Sequence, residues 1–508
     1  MKSTRTENTI RNIIFSYVFA GVTFLFQFIS RSVIVTVLGE QYLGLSSLFT
    51  SILHVLNMAE LGFSGAIVFN MYKPLAEGDK DAVCALLKYY RDIYRRVGTC
   101  ILVIGLFLAP FIPKLIKGTY PKDINIYALY FLYLINTGVS YFLFAYKDSL
   151  LHAVQRMDLS KIAYTVVSLG QYVLQILALV VFKNYYLFVV FQIVGTISKN
   201  IAAAYLAKKY FPQYECKGEI SPLLKKEVLS RVKGLLICNI SGVTYTTFDS
   251  IILSSCVGLT SVAIYGNYMT VFSGVSTILS YIRSAMQASV GNSVATESVE
   301  KNKSDLFLWQ YLFSIIALWV VTCMFNLYQP FMTIWMGNGL LLSMLDVGII
   351  CAWFAITVVQ FAYFLYLSGC GLWWELRWSY ITSTFFNLLF NIILGKKIGV
   401  TGILLSSLLA TFIFGFLWQE NIVFKIYFHM SRKLYTFKQM YYFALTAISC
   451  YISWLVCKLV DVSGIAGLIV RGLVCTLVSV CFIILCGLGA KKESKKTVQL
   501  AKKMLNVK

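Results

Sequence analysis

The stretch FQFISRSVIVTVLGEQYLGL, residues 26–45, decides the class of fold. It belongs to an apolar run from about Ile10 to Leu38, which exceeds the ~20 residues that a helix needs to cross a bilayer. The run is also too long for a cleavable signal peptide, and no small-residue cleavage site follows it. Arg31 is the only charged residue of the stretch before Glu40. Because a charge inside hydrocarbon costs several kcal/mol, Arg31 needs a polar surrounding or a route to water.

The composition places the rest of the chain in the same environment. Hydrophobic residues make up 58% of the 508 residues and charged residues 13%, whereas soluble domains carry roughly 25% charged residues. The 13 cysteines include no C-x-x-C pair and fall mostly within apolar runs, which is typical of helix packing rather than of disulfide or zinc sites. We therefore expect an all-α, multi-pass membrane protein.

Fourteen apolar segments are long enough to be transmembrane helices. They cover approximately residues 10–38, 43–70, 90–113, 124–146, 160–182, 185–207, 235–257, 262–290, 306–330, 342–370, 374–395, 398–424, 438–460 and 463–488.

The net charge of +22 follows from membrane topology. With the N-terminus in the cytoplasm, 34 of the 44 Lys and Arg residues fall on the inner side, 8 on outer connections and 2 within spans. This asymmetry matches the positive-inside rule. We therefore expect both termini in the cytoplasm and no nucleic-acid partner.

The chain repeats itself at a nearly constant offset. Pro110-Phe111 and Pro330-Phe331 lie 220 apart, Gly39 and Gly258 lie 219 apart, and KKYF at 208–211 and KIYF at 425–428 lie 217 apart. The offset covers six spans, an even number, so the two halves have the same orientation, with a pseudo-two-fold axis along the membrane normal. Two lobes of this kind leave a central cavity between them.

The repeat predicts five regions. They are an N-lobe with spans 1–6 at residues 1–220, an amphipathic linker at 221–236, a C-lobe with spans 7–12 at 237–432, two added spans at 433–490 and a basic cytoplasmic tail at 491–508. In the linker, Ser221 is the expected helix cap and Pro222 occupies the first turn. The tail suits anionic lipids, although it could also be a solvated segment that serves orientation alone.

VLGEQYLGLSSLFTSIL at 37–53, followed by ELGFSGAIVFN at 60–70, resembles the polysaccharide transporter (Wzx-like) flippases. These belong to the multidrug/oligosaccharidyl-lipid/polysaccharide (MOP) exporter superfamily, so the resemblance implies a fold like that of MATE transporters and lipid II flippases. It also implies alternating-access transfer of undecaprenyl-pyrophosphate-linked oligosaccharides from the inner to the outer leaflet of the bacterial cell membrane. The products would serve O-antigen, capsule or teichoic acid export, with the polymerase and glycosyltransferases of the same pathway as further partners. No enzyme activity and no cofactor are implied beyond coupling to Na⁺ or H⁺.

The charges within the spans are the candidates for substrate binding. In the resembled family cationic and aromatic side chains line the lumen, which implies that Arg31 and Arg283 bind an anionic substrate there, with Glu60 and His54 as further cavity residues. Two alternatives stay open for the arginines. They could snorkel to the interface, or pair with acids as Arg31–Glu60 and Arg283–Asp249. His54 could equally be a packing residue.

A second set of residues is a candidate ion site. Asn387 and Asn391 lie four residues apart in span 11, and Gln171 and Gln175 are matched to them in span 5. Similarity to the lipid II flippases implies a sodium site at Asp249, Asn387, Asn391 and Ser407; no other metal site is expected. The alternative is plain hydrogen bonding between helices.

Two other functions stay open. A MATE-type drug or cation antiporter would have the same fold, although span 1 carries an arginine that repels cationic drugs. A membrane glycosyltransferase or polymerase needs a sizeable external loop, and no external connection here is long.

Overall fold

The computed structural model describes residues 5–58, 63–144, 146–154, 156–222, 224–226, 228 and 247–505. These residues form helices and short connections, and no strand occurs among them. The chain separates into two compact units, Met1–Ala263 and Ile264–Lys508. The all-α architecture predicted from the sequence is therefore confirmed.

The first unit holds nine helices within the described residues. They are α1 (Arg5–Val37), α2 (Glu40–Asn57), α3 (Phe63–Glu77), α4 (Lys80–Leu108), α5 (Ile126–Phe142), α6 (Tyr146–Ala153), α7 (Met157–Val180), α8 (Tyr185–Tyr210) and α9 (residues 247–256). A 3₁₀ turn, Ala109–Leu115, follows α4.

The boundary between the units falls within α10, and the second unit continues from there. Its helices are α10 (Leu259–Thr296), α11 (Val299–Met336), α12 (Met344–Val359), α13 (Phe361–Gly369), α14 (Arg377–Ala410), a π-helix (Thr411–Gln419), α15 (Glu420–Ile426), α16 (Lys433–Cys457), α17 (Gly464–Gly489) and α18 (Lys491–Leu505).

The described helices account for most of the predicted spans. Nine helical stretches are long and apolar enough to cross a membrane, and a tenth arises if α5 and α6, bent by 49°, form one span. One stretch, Arg377–Ile426, is 50 residues long. It contains predicted spans 11 and 12, because the backbone leaves helical geometry at Ile398 and Gly399. Fewer stretches than fourteen are counted because spans 11 and 12 merge, spans 2 and 7 run into residues outside the described ranges, and the apolar stretch Gly21–Val37 of α1 is shorter than the others.

The internal repeat is visible in the backbone at helix ends. Gly39 follows α1 with φ 106° and Gly258 follows α9 with φ 135°. Gly118 and Gly337, which are related by the same offset, have φ 86° and 83°. Glycine adopts positive φ at little cost, so each repeat ends equivalent helices with the residue that the turn requires.

The helix starts repeat in the same way. Asp79 caps α4 by accepting from the Ala82 amide, and Ser298, its equivalent in the second repeat, caps α11 by accepting from the Lys301 amide. Asn125 caps α5 and Ser343 caps α12. Side-chain caps satisfy the free amides of a first turn. The two repeats therefore share helix boundaries although few residues are identical.

The ends of the two predicted polar segments are partly described. Ser221 Oγ accepts from the Leu224 amide at 3.2 Å, as expected for a cap, while most of 221–236 lies outside the described residues. In the predicted tail, α18 is held on the second unit. Lys438 Nζ donates to Glu493 at 2.6 Å, and Lys496 Nζ donates to Ser304 at 2.7 Å. Lys491, Lys492 and Lys495 stay exposed.

Candidate functional site

Arg31 lies on α1 with its guanidinium turned into the first unit. The residue is half-buried, and its Nη2 atom is fully covered by protein. Arg31 and the Tyr185 side chain at the start of α8 interact electrostatically. Snorkelling to water therefore does not describe this side chain. Pairing with Glu60 stays open, because Glu60 lies outside the described residues.

A chain of hydroxyl groups extends from the partner of Arg31. The Tyr185 and Tyr133 hydroxyls lie 3.0 Å apart, and Tyr133 donates to Ser46 Oγ at 3.0 Å. The three groups come from α8, α5 and α2, and both tyrosines are buried. Buried polar groups need such partners, so this network fixes the surroundings of Arg31.

Lys199 is a second cation within a transmembrane helix. It lies on α8, where its Nζ donates to Gln171 Oε1 of α7 at 3.0 Å. Gln171 donates to Gln175 at 3.4 Å, and Gln175 donates to the Phe188 carbonyl at 3.2 Å. Within the described part of the chain no carboxylate pairs with Lys199, so only neutral groups are seen to stabilise its ammonium group.

The sequence reasoning missed Lys199 by counting it with the inner connections. The structure corrects this, because α8 continues to Tyr210, eleven residues beyond Lys199. The signal was present, since Lys199 falls inside the predicted span 185–207. The spacing of Gln171 and Gln175 predicts a counterpart of Asn387 and Asn391, but it does not predict that Gln171 binds Lys199.

The other two candidate cavity residues lie in different settings. His54 is exposed on α2, and both of its roles, cavity residue or packing residue, stay predictions. Arg283 lies half-buried on α10. Its Cζ is 4.5 Å from the ring centre of Phe364 and 5.0 Å from that of Phe361. Aromatic faces stabilise a cation without neutralising it.

Three of the four predicted ion-site residues come together in the second unit. Asn387 Nδ2 donates to Ser407 Oγ at 3.1 Å, and Asn391 Nδ2 donates to Asn387 Oδ1 at 3.3 Å. All three side chains are fully buried. The kink at Ile398 and Gly399 brings the two halves of α14 together, which places Ser407 beside the asparagines.

Asp249, the fourth predicted member, lies on α9 and belongs to the first compact unit. It is fully buried. Within the described ranges no cluster of three or more His, Cys, Asp or Glu side chains could hold a metal ion. The three gathered residues offer amide and hydroxyl oxygens, which are ligands of hard cations.

A buried acid was also missed. Glu420, the first residue of α15, is fully buried and accepts from Thr436 Oγ1 at 2.8 Å. The sequence analysis named only Glu60 and Asp249 as acids within spans. Glu420 stands near the end of predicted span 12, where a charged residue is easily assigned to the membrane interface.

Solved structures with the same fold include transporters of the MOP superfamily. Lipid II flippase MurJ, in an inward closed conformation, aligns with a TM-score of 0.65 at 14% identity, over 94% of this chain and 100% of that one. A multidrug resistance MATE transporter in an inward-facing conformation aligns with a TM-score of 0.63 at 14% identity, over 79% and 95%. A MOP-superfamily transporter from Pyrococcus furiosus aligns with a TM-score of 0.54 at 14% identity, over 83% and 99%.

At these identities the structural matches establish the fold, a MATE- and MurJ-like bundle of transmembrane helices. No curated protein sequence matches the chain. A sequence model described as "Polysaccharide biosynthesis protein" matches residues 9–290. This match covers more than half of the chain and includes Arg31, Lys199 and the whole of the first unit from residue 9. The chain is a multi-pass membrane protein that belongs to the polysaccharide biosynthesis protein family.

Proposed function

We propose that the protein is a flippase that moves polyprenyl-pyrophosphate-linked oligosaccharides from the inner to the outer leaflet of a bacterial cell membrane. The observation that carries the proposal is the family match over residues 9–290. Polysaccharides built on lipid carriers must cross the membrane before assembly outside, and a chain with a transporter fold suits that step. The undecaprenyl carrier and the identity of the glycan, whether O-antigen, capsule or teichoic acid, belong to the proposal.

The cations of the first unit suit a pyrophosphate headgroup. The partner of Arg31, Tyr185, and the cation Lys199 are fourteen residues apart on α8, which is about 21 Å along the helix. The guanidinium of Arg31 can bind two phosphate oxygens at once, whereas the Lys199 ammonium acts as a mobile point charge. Two positive groups at different depths would stabilise the headgroup at two stages of its passage. Arg283, His54 and Glu60 are further candidates for sugar or phosphate contacts.

The three gathered polar residues suit the coupling ion. Asn387, Asn391 and Ser407 supply oxygen ligands but no negative charge, so a nearby carboxylate would strengthen the binding of a monovalent cation. Asp249 is the proposed source of that carboxylate. The ion in question is Na⁺ or H⁺, and no other cofactor is proposed.

The MATE-type antiporter remains the second candidate, because a MATE transporter and MurJ match the fold almost equally well. The family match favours a glycan carrier over this alternative. A glycosyltransferase or polymerase has no comparable support. The proposal also covers location and partners. It places the protein in the inner membrane with both termini in the cytoplasm. It includes anionic lipids, bound by the exposed lysines of α18, and the enzymes of the same pathway as partners.

The test is depletion of the protein in its host, followed by quantification of polyprenyl-linked oligosaccharides on each leaflet. Complete repeat units should accumulate on the cytoplasmic side. Arg31→Ala should fail to restore transport at normal membrane levels, Arg31→Lys should restore part of it, and Lys122→Ala on an outer connection should restore all of it. Normal lipid-linked pools together with changed drug resistance would favour the antiporter.

A separate measurement tests the coupling ion. Collapse of the sodium gradient at constant pH should slow transport in the wild type, and Asp249→Asn should remove that dependence. Transport that ignores sodium and tolerates Asp249→Asn would contradict the sodium site while leaving the flippase intact.

A further inference from the structure

Glu420 is a carboxyl group placed where a bare charge is costly. The side chain is fully buried, and Thr436 Oγ1 donates a hydrogen bond of normal geometry to it at 2.8 Å, while Gln439 adds a weaker hydrogen-bonding interaction. Its Oε2 atom is buried without a hydrogen-bond partner. No described lysine or arginine nitrogen lies within 4.0 Å of the carboxylate. An ionised carboxylate in such a place normally requires a paired charge or several donors.

Other polar groups around Glu420 also lack partners. The Gln439 side chain lies beside the carboxyl group, yet its Nε2 and Oε1 atoms are buried without a hydrogen bond of normal geometry, as is the Tyr435 hydroxyl. Gln310 of α11 donates to the Tyr435 carbonyl at 2.8 Å, while its own Oε1 has no such partner. Buried polar groups normally have partners, and Gln439 and Tyr435 both interact with this one acid.

The charged and titratable neighbours of Glu420 are few. Arg432, before α16, and the hydroxyls of Tyr363 and Tyr435, from α13 and α16, interact with the carboxyl group electrostatically. Arg432 Nη1 is engaged by the Leu417 carbonyl. A metal cation at Glu420 would meet the positive charge of Arg432, whereas a proton neutralises the carboxylate and adds a donor. The Gln439 carbonyl oxygen is a candidate acceptor for that donor.

We propose that Glu420, with Thr436, Gln439 and Tyr435, forms a proton-binding site in the second unit, separate from the Asn387–Asn391–Ser407 cluster. The ligand is H⁺ itself. Binding converts the buried carboxylate into a neutral acid, and release leaves the charge facing Arg432.

The π-helix next to Glu420 is the segment whose structure the protonation of the site would affect. Its carbonyls accept hydrogen bonds from side chains of other elements: Ser379 to Phe414 at 2.8 Å, Tyr363 to Gly415 at 2.9 Å and Arg432 to Leu417. Tyr363 and Arg432 thus donate to the π-helix and also interact electrostatically with the carboxyl group. The charge on Glu420 therefore acts on two of the groups that donate hydrogen bonds to this segment.

Infrared difference spectroscopy on the full-length purified protein tests the proposal. A protonated carboxylic acid has a C=O stretching band that a carboxylate lacks. We expect such a band at neutral pH in the wild type, its loss in Glu420→Gln, and its decay as pH rises. The matched control is Glu493→Gln, since Glu493 is paired with Lys438 at 2.6 Å and should contribute no such band. Asp249→Asn identifies any band from Asp249, a second fully buried acid.

The opposite result is equally clear. If Glu420→Gln removes no protonated-acid band at any pH at which the protein stays folded, the proposal is wrong.

If Glu420→Gln does not fold, Thr436→Val replaces it. Loss of a hydrogen bond to the ionised form should keep the band to higher pH, and an unchanged band would overturn the assignment. A band that changes with sodium at constant pH would instead indicate a metal cation. The test uses no glycan, so its result is independent of the proposed flippase function.

Discussion

The last helix of each repeat has the same plan but carries a different ionisable residue, a lysine in the first repeat and a glutamate in the second. α8 ends in KKYF at 208–211, and the segment from Gly399 to Ile426 leads into the matching KIYF at 425–428. When these two motifs are aligned, Lys199 corresponds to Phe416, and Glu420 corresponds to Ala203. Phe416 and Ala203 are both fully buried. Each ionisable residue thus occupies a position that the other repeat fills with an apolar side chain.

The backbones of the two helices differ along with their charges. α8 is a regular helix over 26 residues. Its counterpart begins at a kink and contains a π-helix over Thr411–Gln419. A π-helix has wider turns than an α-helix, and the Ser379 and Tyr363 side chains donate to two of its carbonyls. The second repeat therefore has the irregular version of this helix, next to its buried acid.

The largest expected effect comes from reversing the charge in the first repeat. Lys199→Glu should lower the rate of glycan transfer by more than ~100-fold, about 3 kcal/mol in the barrier, because the variant presents an anion to an anionic substrate. Lys199→Met should lose less, and Lys199→Arg should keep part of the activity. The measurement is appearance of lipid-linked oligosaccharide on the outer leaflet at matched protein levels.

Lys208→Glu is the matched control, because Lys208 lies on the same helix and is exposed. It should transport at nearly the wild-type rate. If Lys199→Glu is as active as Lys208→Glu, the cation of α8 has no part in transport, and the comparison between the repeats loses its functional meaning.

The next effect concerns packing at the start of each repeat. A Cβ atom added to Gly44 of α2 would lie 2.3 Å from the Leu259 carbonyl oxygen, so α2 and the start of α10 pack backbone to backbone. Gly44→Ala should destabilise the first unit by about 2–3 kcal/mol, because a backbone atom must move. Thermal unfolding in detergent measures this. Gly21→Ala, where no atom lies within 4 Å, is the control and should be near neutral.

The fold could be read from the sequence because its determinants are local or repeated. The apolar lengths predict the spans, and glycines at one offset predict where helices end, as Gly39 and Gly258 show. The pairing of Asn387 and Asn391 on one helix face also follows from spacing. Lys199 and Glu420 escaped because both lie in the inner halves of predicted spans 6 and 12, where a charge is readily assigned to the neighbouring connection.

The π-helix escaped for a different reason. Its carbonyls are engaged by Ser379 and Tyr363, which precede their acceptors by 35 and 52 residues, and by Arg432, which follows its acceptor by 15. Such pairings depend on tertiary packing, and no pattern within Thr411–Gln419 itself predicts them. The atoms without hydrogen bonds around Glu420 likewise result from tertiary packing, so no local sequence pattern predicts them.

A third prediction compares the amide pairs of the two repeats. Asn387 is fully buried, donates to Ser407 and accepts from Asn391, so Asn387→Leu removes one hydrogen bond from each of two buried side chains. We expect a loss of about 1–3 kcal/mol. Gln171 is half-buried, so Gln171→Leu should cost less stability while weakening the hold on Lys199. Chemical unfolding curves rank the two variants. Equal losses of stability would contradict the expectation that the Asn387–Asn391 pair of the second repeat is more tightly packed than the Gln171–Gln175 pair of the first.

The smallest effect tests the repeat at its helix ends. Gly39 and Gly258 both have positive φ, so alanine at either position costs about 1 kcal/mol. The two sites differ in their surroundings, because a Cβ at Gly258 would lie 3.3 Å from the Lys117 carbonyl oxygen whereas none meets an atom within 4 Å at Gly39. Gly258→Ala should therefore lower the thermal unfolding temperature slightly more than Gly39→Ala. The Lys117 backbone explains the difference, since its amide also donates to the Ser254 carbonyl at 3.0 Å and so holds that segment against α9. If Gly39→Ala is the more damaging variant, the turn after α1 carries a constraint that its counterpart lacks. The two helix ends would then be equivalent in backbone conformation but not in their contribution to stability.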